Sequence, residues 1–163
     1  MNEPDLILIG CTKTKRTEPS PARDLYDPSD LFRRRREYAE MSGKPWAILS
    51  ALYGVVNPDR VIEPYDTTID SRRTKDGGGL GWAVGVVQAC HRIAGTELRM
   101  DNGHLEYATP ITVEVHAGVD YVRTIQDYAV RFAEKITLLH PVAGLAIGEQ
   151  KQWYSLLKEE AHG

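Results

Sequence analysis

At 163 residues, 42% hydrophobic and 26% charged, the chain has the size of one domain and can bury a core without covalent staples. A net charge of −3 excludes a global electrostatic drive towards nucleic acid and leaves only local basic patches. Cys11 and Cys90, the only two cysteines, exclude a disulfide scaffold or a cysteine-rich zinc site, and no apolar run reaches the roughly 18–20 residues of a membrane span.

The acidic start "MNEPDLILIG" has too short an apolar stretch for a signal peptide, and a cytoplasmic protein is expected. Leu6–Ile9 is a continuous apolar run, which predicts a strand buried on both faces. Residues 11–28, rich in Pro, Thr, Ser and charge, predict a long loop. Ser29 is placed to cap a helix running to about Met41, with Leu31, Phe32, Arg35, Tyr38 and Ala39 on one face and Gly43 as its stop. Pro45–Leu49 predicts a second apolar strand, followed by another long irregular segment as far as Gly79.

Leu80–Ala94 has helical spacing through Trp82, Val86, Val87 and Cys90. Thr96–Thr109 suggests an extended excursion or hairpin turning at Asp101-Asn102-Gly103. Ile111–His116 alternates apolar and polar residues, as a half-buried strand does. Tyr121, Val122, Ile125, Tyr128, Ala129 and Phe132 form one helix stripe, and the tail resumes as a helix holding Trp153, Leu156 and Leu157. Alternating strands and helices predict a single α/β domain over 1–163, its sheet largely parallel and covered on both faces. Ligands of such sheets bind outside the carboxyl ends of the strands, which directs attention to the two long loops.

In the first loop, Gly10 allows close backbone approach, and Lys13 and Lys15 can both point at an anion such as phosphate. The plain alternative is a solvated basic loop beside a structural Cys11. Asp24 and Tyr26 precede a turn, where Tyr26 can stack on a planar base, whereas Asp27 and Ser29 fit capping. Arg33–Arg36 spread around the helix and fit a solvated face. In the second loop, a strand ends at Ser50, and Tyr53-Gly54 turn the chain. Glu63-Pro64-Tyr65-Asp66 then sets two carboxylates around an aromatic in a loop stiffened by proline. Such carboxylates suit general-base work or hydrogen bonding to a base edge, while a surface loop with Tyr65 plugging the core is an equal alternative. Gly77–Gly79 fit a hinge, and the five histidines lack ligand spacing, so no metal or cofactor is expected. His116, Gly118 and the turn at His140-Pro141 can reach the same sheet edge.

"LIGCTKTK", "ARDLYDPSDLF", "WAILSALYGVVNPDRVIEPYDTTI", "VHAGVDYV" and "HPVAGLAIGEQKQWY" together resemble a family of uncharacterised bacterial and phage proteins. That family is distantly similar to the YaaA peroxide-stress proteins and to the glycosylase-like domain of archaeal tRNA-guanine transglycosylase relatives. The motifs span most of the chain and leave out Thr96–Thr109. The resemblance implies a three-layer α/β/α sandwich of the uracil-DNA-glycosylase type, handling a base, nucleoside or nucleic acid. Cys11-Thr12-Lys13 stands where uracil-DNA glycosylases carry an Asp-Pro water-activating motif.

The expected activity is hydrolysis or base exchange at an N-glycosidic bond. Asp66 or Glu63 would stabilise sugar charge or activate water, with Cys11 as a lesser candidate nucleophile. Lys13 and Lys15 would hold phosphate, and Tyr26, Tyr53 and Tyr65 would clamp the base, with Gly10, Asp24, Ser50 and Gly54 completing the site. A non-enzymatic nucleotide- or nucleic-acid-binding module is the alternative.

Overall fold

A computed structural model describes residues 3–75 and 77–163. Strand β1 (Leu6–Gly10) is buried at every position. The loop after it is not structureless, because it contains β2 (Ser20–Pro21) and a single helical turn, α1 (Ala22–Leu25). Helix α2 (Asp30–Met41) starts where the sequence places it: the Ser29 hydroxyl accepts the Phe32 N–H at 3.3 Å. Gly43, at φ 69°, takes the chain out of the helix and into β3 (Trp46–Ser50).

The second long segment is also partly ordered. It holds β4 (Gly54–Val56), β5 (Val61–Ile62) and α3 (Ile69–Lys75). Short as they are, β2 and β5 pair antiparallel, tying the two loops together above the sheet edge. Helix α4 (Leu80–Ala94) is flanked by left-handed Gly79 and Gly95. The expected hairpin forms as β6 (Leu98–Asp101) and β7 (His104–Tyr107), its two turn residues Asn102 and Gly103 both at positive φ.

Strand β8 (Ile111–His116) is a correction: it is buried at all six positions, not half-buried. Its polar residues Thr112, Glu114 and His116 face a second helical layer instead of solvent. Helix α5 (Val119–Arg131) follows, although Phe132 of its expected stripe is 48% exposed beyond its end. Strand β9 (Ile136–Leu139), which periodicity did not indicate, precedes α6 (Ile147–His162).

The main sheet has five strands in the order β4-β3-β1-β8-β9, parallel except where β4 doubles back on β3. Alternation along β1 sends its side chains to opposite faces. Leu6 and Leu8 join a core with Trp82, Val86 and Val87 of α4 and Ile125 of α5. Ile7 and Ile9 join another with Leu25, Tyr26 and, from α2, Phe32 and Ala39. Each large apolar side chain buried this way contributes roughly 1.5–3 kcal/mol. Both cysteines are free, and burial in the first core pushes the Cys90 thiol up to about 12. Among the described residues, no helix is long and apolar enough to cross a membrane.

Gly10 does allow a close approach of backbone. A Cβ there would lie 2.7 Å from Ala117 Cβ, 2.9 Å from Ala117 Cα and 3.3 Å from Arg35 Nη1. The close approach it permits is that of the chain leaving β8. Gly10→Ala should therefore destabilise by about 1–3 kcal/mol through overpacking. Urea unfolding checks this, and an unchanged midpoint would contradict the packing described.

Candidate functional site

From β1 the chain moves to β3 on one side and later returns as β8 on the other, so the topological switch point lies between β1 and β8. Cys11 emerges there. Its N–H is still held by the Leu49 carbonyl at 2.9 Å, and its Sγ lies 3.2 Å from the Tyr121 hydroxyl of α5. Trp82 packs edge-on against Tyr121 at 5.9 Å, closing the cleft from the α4 side. Burial, then the nearby Cys11, raises the Tyr121 phenol, so this hydroxyl stays protonated.

At the end of β3, Ser50 is fully buried and organises the neighbouring loop. Its Oγ accepts the N–H groups of Leu52 at 3.2 Å and Tyr53 at 3.1 Å, shaping the turn into β4. Its carbonyl accepts the Trp82 indole N–H at 2.9 Å. The same Oγ lies 2.6 Å from the Tyr65 hydroxyl, which is 2.6 Å from that of Tyr26. This hydroxyl chain anchors the Glu63–Asp66 loop to the sheet. Burial is the main reason that Tyr65 and Tyr26 both resist ionisation, so the chain carries protons and no charge.

The two loops meet at Lys15. Its Nζ sits 4.5 Å from the centre of the Tyr65 ring and 5.8 Å from that of Tyr26, within cation–π range. Burial lowers the Lys15 pKa, while the charges of Cys11 and Asp66 oppose that shift. Lys15 is therefore within electrostatic reach of both residues, and contacts link Lys15, Tyr65, Tyr26 and Ser50 at the carboxyl ends of β1 and β3. Tyr53 is partly exposed at the rim, T-shaped to Tyr65 at 5.6 Å and covered by the Arg60 guanidinium at 5.1 Å.

Other expected members have different surroundings. Tyr26 is fully buried against Phe32, with ring centres 4.9 Å apart, so it braces Tyr65 and offers no face to a base. Asp24 is paired with Arg36 at 3.2 Å. Lys13 is exposed and its carbonyl accepts from Lys15 Nζ at 3.2 Å. Gly54, at φ 72°, serves the turn into β4. Glu63 and Asp66 are both solvent-exposed.

His116 does not reach the open edge. It is fully buried, with Nδ1 2.7 Å from the Tyr154 hydroxyl and Nε2 2.6 Å from Glu114 Oε1, which also accepts from Tyr38 at 2.5 Å. Among the described residues, no three His, Cys, Asp or Glu side chains are grouped as metal ligands would be.

Two contributors escaped the sequence reading. Tyr121 belonged to a core stripe, yet its hydroxyl reaches Cys11. Arg35, placed by its spacing on the core face yet read with its neighbours as a solvated cation, is only 4% exposed and donates to the Gly10 carbonyl at 3.3 Å. Its spacing, three residues after Phe32 and four before Ala39, gives the face but not the burial of the charge itself.

A groove of about 950 Å³ lies elsewhere, between α2 and α6, lined by Tyr38, Met41, Trp153 and Tyr154 among others. Its charged groups, however, are spent on surface pairs such as Lys158–Glu37 at 2.6 Å and Lys151–Asp30 at 3.1 Å. The reactive side chains converge at Cys11, and that is the site of interest.

Burial holds His91, His116 and His140 below the ordinary histidine pKa of 6.5. Depressed folded-state values mean that the unfolded chain binds more protons as pH falls. Stability from these groups is present above about 6.5 and is lost below it. The thermal midpoint should fall progressively from pH 7 to pH 5, and a level profile across that window would contradict the neutral buried histidines.

No curated protein and no solved structure matches the chain. A family model does, over residues 6–156, running from β1 into α6 and through the β6–β7 hairpin that the sequence motifs left out. The chain belongs to DUF6884, a family of unknown function.

Proposed function

We propose that the cleft outside β1 and β3 acts on the N-glycosidic bond of a nucleotide, nucleoside or modified nucleic acid, by hydrolysis or base exchange. The observation that carries this reading is the junction at Lys15: a cation over the Tyr65 ring, within electrostatic reach of Cys11 and Asp66. Cation, aromatic and carboxylate match the three parts of such a substrate: phosphate, base and sugar. The resemblance to YaaA and to uracil-DNA-glycosylase-like domains points the same way, and a parallel sheet with helices on both faces is compatible with their three-layer sandwich.

In this reading, the bond between base nitrogen and anomeric carbon breaks, and its electron pair leaves with the base. The base takes up a proton, and water or an incoming base closes the sugar carbon. Asp66 faces the positive charge that develops on the sugar. Lys13 and Lys15 hold phosphate, while Tyr65 and Tyr53 flank the base. Cys11, its Sγ beside the Tyr121 hydroxyl, is the alternative group to attack the sugar carbon.

One observation favours the second reading, a nucleotide-binding module without turnover. Asp66 and Glu63 are both exposed, and a carboxylate in water exerts a weaker field than one in a dry pocket.

The variants separate the readings. Lys13→Ala/Lys15→Ala should cost about 1 kcal/mol of stability or less, chiefly the Lys15 cation–π contact. It should weaken binding of a phosphorylated ligand about tenfold or more. Asp66→Asn should keep binding within a few-fold and lower base release by about 10²–10³-fold. Calorimetry and chromatographic detection of free base, across a panel of nucleotides and modified bases, supply both numbers. Binding with no base released from any member would leave the binding module, and parental turnover by Asp66→Asn would remove Asp66 from the chemistry.

A further inference from the structure

Arg35 is a buried cation without a counter-ion. The residue is 4% exposed, and among the described residues it forms no ion pair with a carboxylate. Its Nη1 donates to the Gly10 carbonyl and its Nη2 to the Gln150 amide oxygen, both at 3.3 Å, long contacts for a charged donor. Its Nε is buried and has no partner at all. Its neighbours Arg33, Arg34 and Arg36 each find an aspartate, so the missing anion is particular to this position.

A guanidinium removed from water is expensive unless paired, and breaking local rules at such a cost is characteristic of functional sites. The position is informative. Arg35 lies under the carboxyl end of β1, its guanidinium beside the Tyr154 hydroxyl and within electrostatic reach of Cys11 and Tyr121. Lys15 is within electrostatic reach of the same Cys11. Gln150 is only half-buried, and its own Nε2 donates to the Leu145 carbonyl at 3.0 Å, so the Arg35 fork meets a side chain that is itself partly open to solvent.

We propose that Arg35 is the anchor of an oxyanion site at the switch point: a phosphate oxygen of the ligand replaces the Gln150 amide oxygen on the Arg35 fork, with Lys15 as the second cation on the same anion. A planar fork with free donors takes a tetrahedral oxyanion in bidentate fashion, which a lysine does not. This assignment rests on the nucleotide reading for the identity of the ligand and narrows it to a phosphorylated one. The anion site itself does not require a base.

Thermal midpoints and titration calorimetry at fixed ionic strength test it, using inorganic phosphate, the four ribonucleoside 5′-monophosphates and the four parent nucleosides. In the parent protein a phosphate-bearing probe should raise the midpoint. Arg35→Met should unfold at the parental midpoint or above it, because it removes an unpaired buried charge, and should bind that probe about tenfold or more weakly. Gln150→Glu supplies the missing carboxylate internally, so it should raise the midpoint and abolish the phosphate effect, which keeps the test open if Arg35→Met folds poorly.

If inorganic phosphate protects in an Arg35-dependent way as well as any monophosphate, the anion site stands and the nucleotide reading falls. If nucleosides and monophosphates protect equally, and neither Arg35→Met nor Gln150→Glu changes this, the nucleotide reading stands and the anion site is overturned. A lower midpoint for Arg35→Met with phosphate binding retained in both variants also overturns it, leaving Arg35 a structural residue.

Discussion

All five residues of β1 are buried, and both edges of the strand are bonded to parallel neighbours, β3 and β8. A chain leaving such a strand can only emerge at its carboxyl edge, into whatever space the neighbouring strand ends leave open. Gly10 sets that space. With no Cβ, it lets Ala117 close over the strand end, and the first side chain free to point outward is that of Cys11. Lys15 arrives over Tyr65 because the loop that begins there is pinned again by the β2–β5 pair. The arrangement of the cleft follows from one strand that has no free edge.

Polar groups behind this edge are handled in two ways. On the Ser50 side, hydroxyls are satisfied by one another and by backbone N–H groups, and on the His116 side a Tyr–Glu–His–Tyr chain does the same. Burial pushes the Tyr154 phenol up to about 12 and lowers the His116 imidazole, so each holds one protonation state near neutral pH. Satisfied networks of this kind rigidify a site. They fix the walls of the cleft and leave the charge there to Lys15 and the exposed carboxylates.

Much of this was legible in the residues. The apolar run of β1, the Ser29 cap, the α4 stripe and the Asn102-Gly103 turn are local signals, and local physics decided them. What stayed hidden depended on partners far along the chain. Two-residue strands such as β2 and β5 have no periodicity to detect, and β9 is a short edge strand with only partial burial. The same division runs through the site. Cys11, Lys15, Ser50 and Tyr65 could be named from their positions after buried strands, because strand ends converge in a parallel sheet. Tyr26 looked available only because the sequence does not show Phe32 lying against its ring. Arg35 was legible as a core-facing position but not as a buried charge, since arginine on a helix ordinarily extends its charged end to solvent.

Two buried nitrogens without partners, on His91 and Arg35, show how much the kind of group matters. His91 lies flat on Tyr107, with ring centres 3.8 Å apart and planes 2° from parallel, and its Nδ1 is 2.7 Å from the Thr96 hydroxyl. A neutral imidazole in that setting leaves only one modest hydrogen-bond debt, and the hairpin packed on it accounts for its burial. A guanidinium has no neutral form to fall back on, so its charge persists where the dielectric is low. Neither Gly10 nor Gln150 carries a formal charge, and the hydroxyl of Tyr154 stays protonated. The positive potential beneath Cys11 is therefore left uncancelled by any carboxylate paired to Arg35, and it acts on whatever enters at the end of β1. Among the described residues, this charge is a feature that folding alone does not require.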